Sequence, residues 1–250
     1  MKDNDNSSGI ERYYRKILAL QTEVIESQRQ KLEDTAAQMA MIIAQDGRIF
    51  IFGTGHSHMM AEEAFYRAGG LAPVIPIFSC ALMLHEKPNF SSLLERTGGL
   101  AEVLLDEYQV RTGEMILIFS NSGVNRLPVE LAIKAKDRGL FVVSVSSLAY
   151  ARMAPMSSLG KRLDEVADIA IDNYGKPGDG LVKIQGTDWY VGPSSTISGA
   201  LIWNCLVTEC VMRLHASGAP LPVFASLNMP GAAEHNAELL DKLRMNNPHL

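Results

Sequence analysis

The sequence lacks several features that would assign a chain to a large class at once. Its three cysteines, Cys80, Cys205 and Cys210, form no Cys-x-x-Cys pair and no metal-type spacing. An odd number of cysteines without such pairs fits reduced thiols in a cytoplasm. No apolar run is long enough to span a membrane, and the first eight residues lack the apolar centre of a signal peptide. We therefore expect a soluble cytoplasmic protein with no membrane partner.

Basic charge and nucleotide motifs are also scarce. The net charge of −5 argues against a nucleic-acid partner, which normally meets a basic patch. The glycine-rich loops contain no Gly-Lys-Ser/Thr run, which argues against nucleotide hydrolysis, and the first loop lacks the third glycine of a dinucleotide site. His56 and His58 do not have the i, i+4 spacing of paired metal ligands. We expect no cofactor and no metal.

The order of the apolar runs predicts an α/β fold. Buried strands alternate with helical stretches along the chain, and this alternation is typical of a parallel sheet covered on both faces, a doubly wound sheet. Turn-rich sequence at 173–180 and short runs around 182–184 and 189–191 predict an additional hairpin. The predicted strands of the main sheet are 48–52, 73–78, 115–119, 140–145 and 168–171.

A long amphipathic segment precedes the first strand. From Ile10 to about Gln45 apolar residues recur at helical spacing, with a weakening at 27–30 that predicts a break. A helix of about 35 residues would span roughly 50 Å, about the width of the globule. We therefore divide the chain into a helical arm, 1–45, and a domain, 46–250, and expect part of the arm to pack on another subunit. The alternative is two consecutive helices packed on their own domain.

The junction after the first strand has the form of a phosphate cradle. The loop Gly53-Thr54-Gly55-His56-Ser57 leads into a helix, whose first N–H groups and dipole favour an anion. Glycines let the backbone approach a ligand, and Ser57 can add a hydroxyl at the helix N-cap. Many strand-to-helix turns carry such residues only for turning and capping. The candidate ligand-binding residues here are Gly53, Gly55, His56 and Ser57.

Two further junctions repeat the pattern. The strand at 115–119 ends in Ser120-Asn121-Ser122-Gly123-Val124-Asn125, with Pro128 in the first turn of the next helix. Later, Gly192-Pro193-Ser194-Ser195-Thr196 opens an apolar helix from Ile197 to about Leu214. Parallel strands would bring all three loops to one edge of the sheet. The additional candidate ligand-binding residues are Ser120, Ser122, Gly123, Asn125, Ser194, Ser195 and Thr196.

These three loops, in this order and spacing, resemble the sugar isomerase (SIS) family of phosphosugar-binding domains over roughly residues 40 to 215. The segments 61–70 and 227–236 resemble a narrower branch of stand-alone SIS proteins that is often labelled phosphoheptose isomerase. The resemblance implies a flavodoxin-like sheet of five parallel strands with an N-terminal helical arm. It also implies that the three loops hold a phosphorylated sugar as ligand.

The catalytic groups depart from the pattern of the family. Phosphoheptose isomerases and N-acetylmuramic acid 6-phosphate etherases place a glutamate ten residues after the loop serine, where this chain has Arg67, which cannot act as a base at neutral pH. The isomerases also place a histidine on the last long helix, where this chain offers Glu209. We instead consider Glu63 near the start of the first helix, and His85 and Glu95 in the long connection 81–98. The resemblance implies that this connection reaches the site of a neighbouring subunit, and that Glu95 lies where the etherases have their second acid.

Three functions remain open at this point. The first is an enzyme of carbohydrate metabolism that interconverts an aldose phosphate and a ketose phosphate, which needs a base between two carbons and an acid at two oxygens. The second is an ether-cleaving lyase of a 6-phosphorylated amino sugar. The third is a sensor that binds a phosphosugar without turnover. Arg67 favours this function, because it stands where the related enzymes have their glutamate. In each case we expect a homodimer or a homotetramer with sites completed across the interface.

Overall fold

A five-stranded parallel sheet forms the centre of the computed structural model, which describes residues 7–250. The strand order is β2-β1-β3-β4-β5, and all neighbouring strands are parallel. This confirms the doubly wound α/β fold and each of the five predicted strands. The strands are β1 (Ile49–Gly53), β2 (Val74–Pro76), β3 (Met115–Phe119), β4 (Phe141–Ser146) and β5 (Ile169–Asp172).

Helices connect the strands, and a separate hairpin lies beside the sheet. The helices are α1 (Gly9–Ala44), α2 (Met59–Ala64), α3 (Pro88–Leu94), α4 (Leu100–Glu107), α5 (Arg126–Asp137), α6 (Leu148–Met153), α7 (Leu163–Val166), α8 (Ser195–Ala216) and α9 (Ala232–Leu243). The hairpin pairs β6 (Gly180–Lys183) with β7 (Tyr190–Pro193) and confirms the predicted one. The connection 81–98, which showed no clear periodicity, contains α3.

Alternating strand residues build two hydrophobic layers, one on each face of the sheet. Ile49 and Ile51 of β1 face the layer formed with α1, α2 and α8. Phe50 and Phe52 face the opposite layer, formed with α4, α5 and α7. Because both faces are covered, the strands read as continuous apolar runs, and this is the signal that identified them in the sequence.

Helix α1 is a single helix of 36 residues, so the break predicted at 27–30 is wrong. Gln28 is buried, and its Oε1 accepts a hydrogen bond from the backbone N–H of Asp172 at 3.1 Å. One turn on, Lys31 Nζ donates to the carbonyl oxygen of Ala170 at 2.6 Å. Both partners belong to β5, the edge strand of the sheet. The polar residues that interrupt the apolar stripe therefore satisfy the open edge of the sheet instead of ending the helix.

The apolar stripe of α1 packs on its own chain. Its buried members belong to the same hydrophobic layer as Trp203 of α8 and Leu117 of β3. Ile10, the first residue of the stripe, is exposed together with Tyr14 and Leu18. That part of the stripe packs on another subunit therefore stays a prediction for this end of α1. The buried residues of the stripe are Ile17, Leu20, Val24, Leu32, Ala36 and Met39.

Helix α8 is apolar because it belongs to the core. Within residues 7–250 it is the one helix long and apolar enough to cross a membrane by length and composition. Its side chains Ile202, Trp203 and Leu206 are buried against the layer that α1 completes. Burial between a helix and a sheet explains such a composition without a membrane.

A buried ion pair ties together the amino-terminal end of the sheet. Arg48, directly before β1, and Glu114, directly before β3, are 5% and 3% exposed. Arg48 donates through Nε and Nη2 to the two carboxylate oxygens of Glu114 at 2.5 and 2.8 Å. The same guanidinium donates to the carbonyl oxygens of Gln109 and Asn246. The pair therefore connects two strands with the C-terminal segment, and each charge has its compensating partner.

Replacing Glu114 by Ala is expected to lower the free energy of unfolding by about 3–5 kcal/mol, because it leaves a buried guanidinium without its counter-charge. Urea unfolding followed by circular dichroism measures the change. Glu102→Ala is the matched control, since Glu102 forms an exposed ion pair with Lys134 on the helical surface; the control is expected to unfold like the parent protein. Equal midpoints for both variants would contradict the role of the buried pair.

Candidate functional site

Two glycines make the first loop turn sharply at the carboxyl end of β1. A Cβ at Gly53 would overlap the carbonyl group of Ser57, so the loop folds back on itself only where a side chain is absent. Gly55 has a φ of +57°, in the left-handed region that favours glycine. The chain then forms a 3₁₀ turn over Gly55–His58 and continues into α2. The sequence predicted Ser57 as the helix N-cap; it lies inside this turn instead, and His58 precedes α2.

The second loop, 120–125, joins β3 to α5. Gly123 has a φ of +62°, and Asn125 is the N-cap residue of α5. Pro128 falls in the first turn of α5, as the sequence predicted. The backbone N–H of Leu127 donates to the carbonyl oxygen of Glu95 at 2.9 Å. The long connection 81–98 therefore docks against the start of α5, next to the second loop.

In the third loop, the hydrogen-bond donors at the start of α8 bind a carboxylate of the same chain, that of Asp179. Asp179 Oδ1 accepts hydrogen bonds from the backbone N–H groups of Ser194 and Ser195 at 3.0 and 2.9 Å. The hydroxyl of Ser194 donates to Oδ1 at 3.0 Å, and that of Ser195 donates to Oδ2 at 2.6 Å. This differs from the expectation that both serines donate to a phosphate. Their hydroxyl protons and N–H groups are directed to Asp179, and Ser194 is fully buried.

The three loops meet in one narrow cleft at the carboxyl edge of the sheet. His56 and Ser57 come from the first loop, Ser120 and Asn121 from the second, and Ser195 and Thr196 from the third, with Asn173 at the end of β5. The parallel sheet brings the first two loops and the end of β5 to one edge, whereas the third loop follows the separate hairpin and reaches the cleft at the start of α8. Of the eleven described residues that line the cleft, none is a carboxylate and His56 alone is titratable. Its apolar wall consists of Met60, Phe119, Val145 and Gly199.

Several predicted ligand-binding residues shape the loops and do not line the cleft. The glycines of the first two loops set the backbone turns described above. Gly123 also lies against Ser146 of β4, where an added Cβ would meet that side chain at 3.4 Å. The structure thus divides the predicted set into lining residues and residues that position them. The second group is Gly53, Gly55, Ser122, Gly123, Asn125 and Ser194.

Glu63 faces away from the cleft toward α8. Its carboxylate forms an ion pair with Arg67 and accepts a hydrogen bond from Asn204 Nδ2 at 3.1 Å. Arg67 therefore neutralises the acid that lies one helical turn before it. The structure does not bring Glu63 to the cleft within one protomer.

Glu95 is held beside the first loop. Its Oε2 accepts a hydrogen bond from the hydroxyl of Thr54 at 2.9 Å, and its Oε1 pairs with Arg96 at 2.8 Å. The side chain is 15% exposed. Since its backbone carbonyl contacts the start of α5, Glu95 lies between the first and second loops. Glu95 does not line the cleft, but it is the predicted catalytic residue that hydrogen-bonds to the first loop and to the start of α5.

His85 is exposed and lies beside the buried His58. His58 stacks on Phe78, and its Nδ1 lies 3.1 Å from the carboxylate of Glu62. Burial lowers the pKa of His58, and the nearby His85 lowers it further, against the opposing effect of Glu62. His58 is therefore a neutral support of the first loop at physiological pH.

Among residues 7–250, no three His, Cys, Asp or Glu side chains come together as a candidate metal site.

Three polar residues at or beside the cleft, Asn121, Asn173 and Asp179, were not predicted as site residues from the sequence, nor was the apolar wall. Asn121 and Asn173 line the cleft and are linked, because Asn173 Nδ2 donates to Asn121 Oδ1 at 3.0 Å. Asn121 belongs to the second loop, and Asn173 directly follows β5, so their positions at carboxyl strand ends were an available signal. Asp179 lies in a turn-rich segment, and nothing in its sequence neighbourhood links it to α8.

Comparisons with known proteins agree with this architecture. The sequence profile of the SIS domain matches residues 12–147. A UPF0309 protein of Brucella abortus (strain S19) is 37% identical over 240 residues, covering 96% of this chain and 98% of the relative. A UPF0309 protein of Geobacillus thermodenitrificans is 37% identical over 242 residues, covering 96% and 97%.

Solved structures share the fold at low sequence identity. A phosphoheptose isomerase from Francisella tularensis has a TM-score of 0.55 at 12% identity, covering 80% of this chain and 95% of that one. The Vibrio vulnificus NanR protein, complexed with ManNAc-6P, has a TM-score of 0.51 at 12% identity, covering 95% and 70%. At such identities the likeness is one of fold.

Replacing Gly53 by Ala is expected to destabilise the protein more than replacing Gly55 by Ala. The first change forces backbone to move, whereas a Cβ at Gly55 meets only Leu84, at 3.9 Å, and costs about 1–2 kcal/mol for its left-handed conformation. The melting temperatures of the two variants, measured side by side, test this order. The reverse order would show that the first loop is not held as tightly as its geometry indicates.

Proposed function

Since the chain belongs to the SIS-domain proteins and, within them, to the UPF0309 proteins, we propose that it binds a phosphorylated sugar in the cleft between the three loops and interconverts its aldose and ketose forms. The placement of Glu95 between two of these loops is the observation that carries the proposed reaction. The fold likeness to phosphoheptose isomerases is consistent with it.

The phosphate belongs at the first two loops, because their walls offer hydrogen-bond donors. Asn121 uses its carbonyl oxygen on Asn173, which leaves its NH₂ group to donate to a ligand. The hydroxyls of Ser57 and Ser120 line the same side of the cleft. The start of α5 adds the positive end of a helix dipole. Binding of the phosphate would fix the reacting carbons relative to the catalytic groups.

Glu95 is the proposed base. Its carboxylate, which accepts a hydrogen bond from Thr54 and does not line the cleft, would turn into the cleft to take the proton at C2 of the open-chain aldose and return it at C1 after an enediol forms. His56, an exposed residue that lines the cleft, is the proposed acid that moves a proton between the two oxygens, since its ring nitrogens can both donate and accept hydrogen bonds. The hydrogen bond from Thr54 keeps the Glu95 carboxylate directed at the first loop.

A sensor without turnover is the second candidate, and one observation favours it. Among the described residues the cleft wall contains no carboxylate, and Arg67 pairs with Glu63 at the position where the related enzymes have their glutamate. A binding site of this kind holds a sugar phosphate without a base in contact with C2. Isotope exchange separates the two candidates, because only proton abstraction exchanges carbon-bound hydrogen.

Incubation with sugar phosphates in D₂O, after a thermal-shift screen for the ligand that binds, is expected to place deuterium at the carbon beside the carbonyl. Glu95→Gln is expected to keep the thermal shift and to slow deuterium incorporation by about 100-fold or more. Glu86→Gln is the matched control, because Glu86 is an exposed acid of the same connection. Exchange that persists in Glu95→Gln would exclude this base, and a bound but undeuterated ligand would favour the sensor.

We further propose that the protein is a cytoplasmic homodimer or dimer of dimers. All three cysteines are free, which suits a reducing compartment. Ile10, Tyr14 and Leu18 form an exposed apolar row on α1 at i, i+4 spacing. The exposed His85 lies on the connection that, in this family, reaches the site of a neighbouring subunit.

The double variant Tyr14→Glu, Leu18→Glu is expected to lower the assembly state, because two charges would be buried in the proposed contact. Light scattering after size-exclusion chromatography measures the molar mass. Lys16→Glu, a single charge change between the two positions, is the control for an effect of charge alone. An unchanged mass for the double variant would place the interface elsewhere.

A further inference from the structure

The strongest unassigned feature of the cleft is the carboxylate of Asp179 at the start of α8. It receives four hydrogen bonds from two consecutive residues, Ser194 and Ser195, two from backbone N–H groups and two from hydroxyls. Ser195 also lines the cleft. The charge therefore lies directly behind the wall that a bound sugar would touch.

The hairpin places this carboxylate. In the register of β6 and β7, Gly180 pairs with Pro193, so the residues just outside this pair, Asp179 and Ser194, come together. Asp179 has a φ of +67° in a turn closed by its N–H on the carbonyl oxygen of Lys176. Asp is among the residues that tolerate this left-handed conformation. The contact is thus built by the hairpin and is not an accidental meeting of surface side chains.

The hydrogen bonds of Asp179 decide what the α8 side of the cleft offers to a ligand. A serine hydroxyl has one proton, and that of Ser195 is donated to Asp179 at 2.6 Å. Toward the cleft, Ser195 therefore presents only its oxygen lone pairs. At Ser195 this wall therefore accepts hydrogen bonds from O–H or N–H groups and has the negative charge of Asp179 behind it, while the neighbouring Thr196 adds a second hydroxyl to the wall. The opposite wall, at the second loop, presents the donors of Asn121 and Ser120.

The charge of Asp179 is also felt by a neighbouring group. Tyr13 of α1 donates its hydroxyl to the carbonyl oxygen of Pro193 at 2.8 Å. Burial raises the pKa of Tyr13, and the negative charge of Asp179 raises it further. The carboxylate therefore acts beyond its own hydrogen bonds at this end of the cleft.

From this arrangement we propose that Asp179 is a specificity-determining residue, which makes the α8 end of the cleft accept a neutral or cationic hydrogen-bond donor and reject a second anion. The inference rests on the proposed binding of a phosphorylated sugar. The ligand lies with its phosphate at the second loop and its carbonyl or amino end toward Ser195. Sugars with a carboxylate or a second phosphate at that end are excluded by repulsion from Asp179 and by the absence of a proton on Ser195 to donate.

Calorimetry with three probes tests the proposal: glucose 6-phosphate, glucosamine 6-phosphate and 6-phosphogluconate, which has a carboxylate at C1. The wild-type protein is expected to bind the first two more tightly than the third, by about tenfold or more, because like charges a few ångströms apart repel. Asp179→Asn removes the charge while its amide oxygen can still accept the N–H groups of α8, and is expected to bring the ratio close to one. Asp188→Asn, an exposed acid of the same hairpin, is the matched control and is expected to keep the ratio.

The outcomes are distinct. Wild-type protein that binds 6-phosphogluconate as tightly as glucose 6-phosphate overturns the inference without any variant, and so does a folded Asp179→Asn that keeps the ratio. If Asp179→Asn does not fold, Ser195→Ala takes its place: it keeps the charge, so it is expected to weaken glucose 6-phosphate binding and still reject 6-phosphogluconate, and loss of the rejection overturns the inference. Wild-type protein that binds none of the monophosphates overturns the proposed function itself, and the inference with it.

Discussion

The site depends on the parallel pairing of β1 with β3, which runs in register from Ile49 opposite Met115 to Gly53 opposite Phe119. Because the two strands end side by side, the loops that follow them are neighbours. In the order β2-β1-β3-β4-β5 the chain passes from one side of β1 to the other at this pair, and open α/β sheets form their binding crevices at such a point. The first two loops therefore meet whatever their sequences are. Their residues decide only what the crevice binds.

The helices on one face of the sheet complete the crevice and stabilise it. Helix α1 covers the open edge strand, where Gln28 and Lys31 form hydrogen bonds with backbone groups of β5. It also buries α8 against the sheet, which brings the start of α8 to the third side of the cleft. An N-terminal helix that resembles a separable arm in sequence thus supports the wall of the site. A mutation in its buried stripe would change the cleft by displacing α8, and not by removing a contact with the ligand.

The cleft has opposite hydrogen-bonding character at its two ends. Donors at Asn121 and Ser120 face a wall on which the hydroxyl proton of Ser195 is already donated to Asp179. A ligand with one anionic end and one hydroxyl-rich end matches this arrangement in a single orientation. Orientation of that kind is what an isomerase needs to present two adjacent carbons to one base. It also gives a sensor its selectivity, so the polarity of the cleft is common to both candidate functions.

The sequence alone determined the sheet, the hairpin and the meeting of the first two loops, because buried parallel strands leave continuous apolar runs and their carboxyl ends share one edge. The third loop follows the hairpin, and only the packing of α8 brings it to the same cleft. Glu95 was predicted as a catalytic residue through a resemblance and not through any pattern of its own, and its role stays a prediction. The continuity of α1 at Gln28, the turning of Glu63 toward Arg67, and the capture of Ser194 and Ser195 by Asp179 were decided only by the tertiary structure. In each case a polar side chain has several possible partners along the chain, and only the packed fold selects the one within hydrogen-bonding distance.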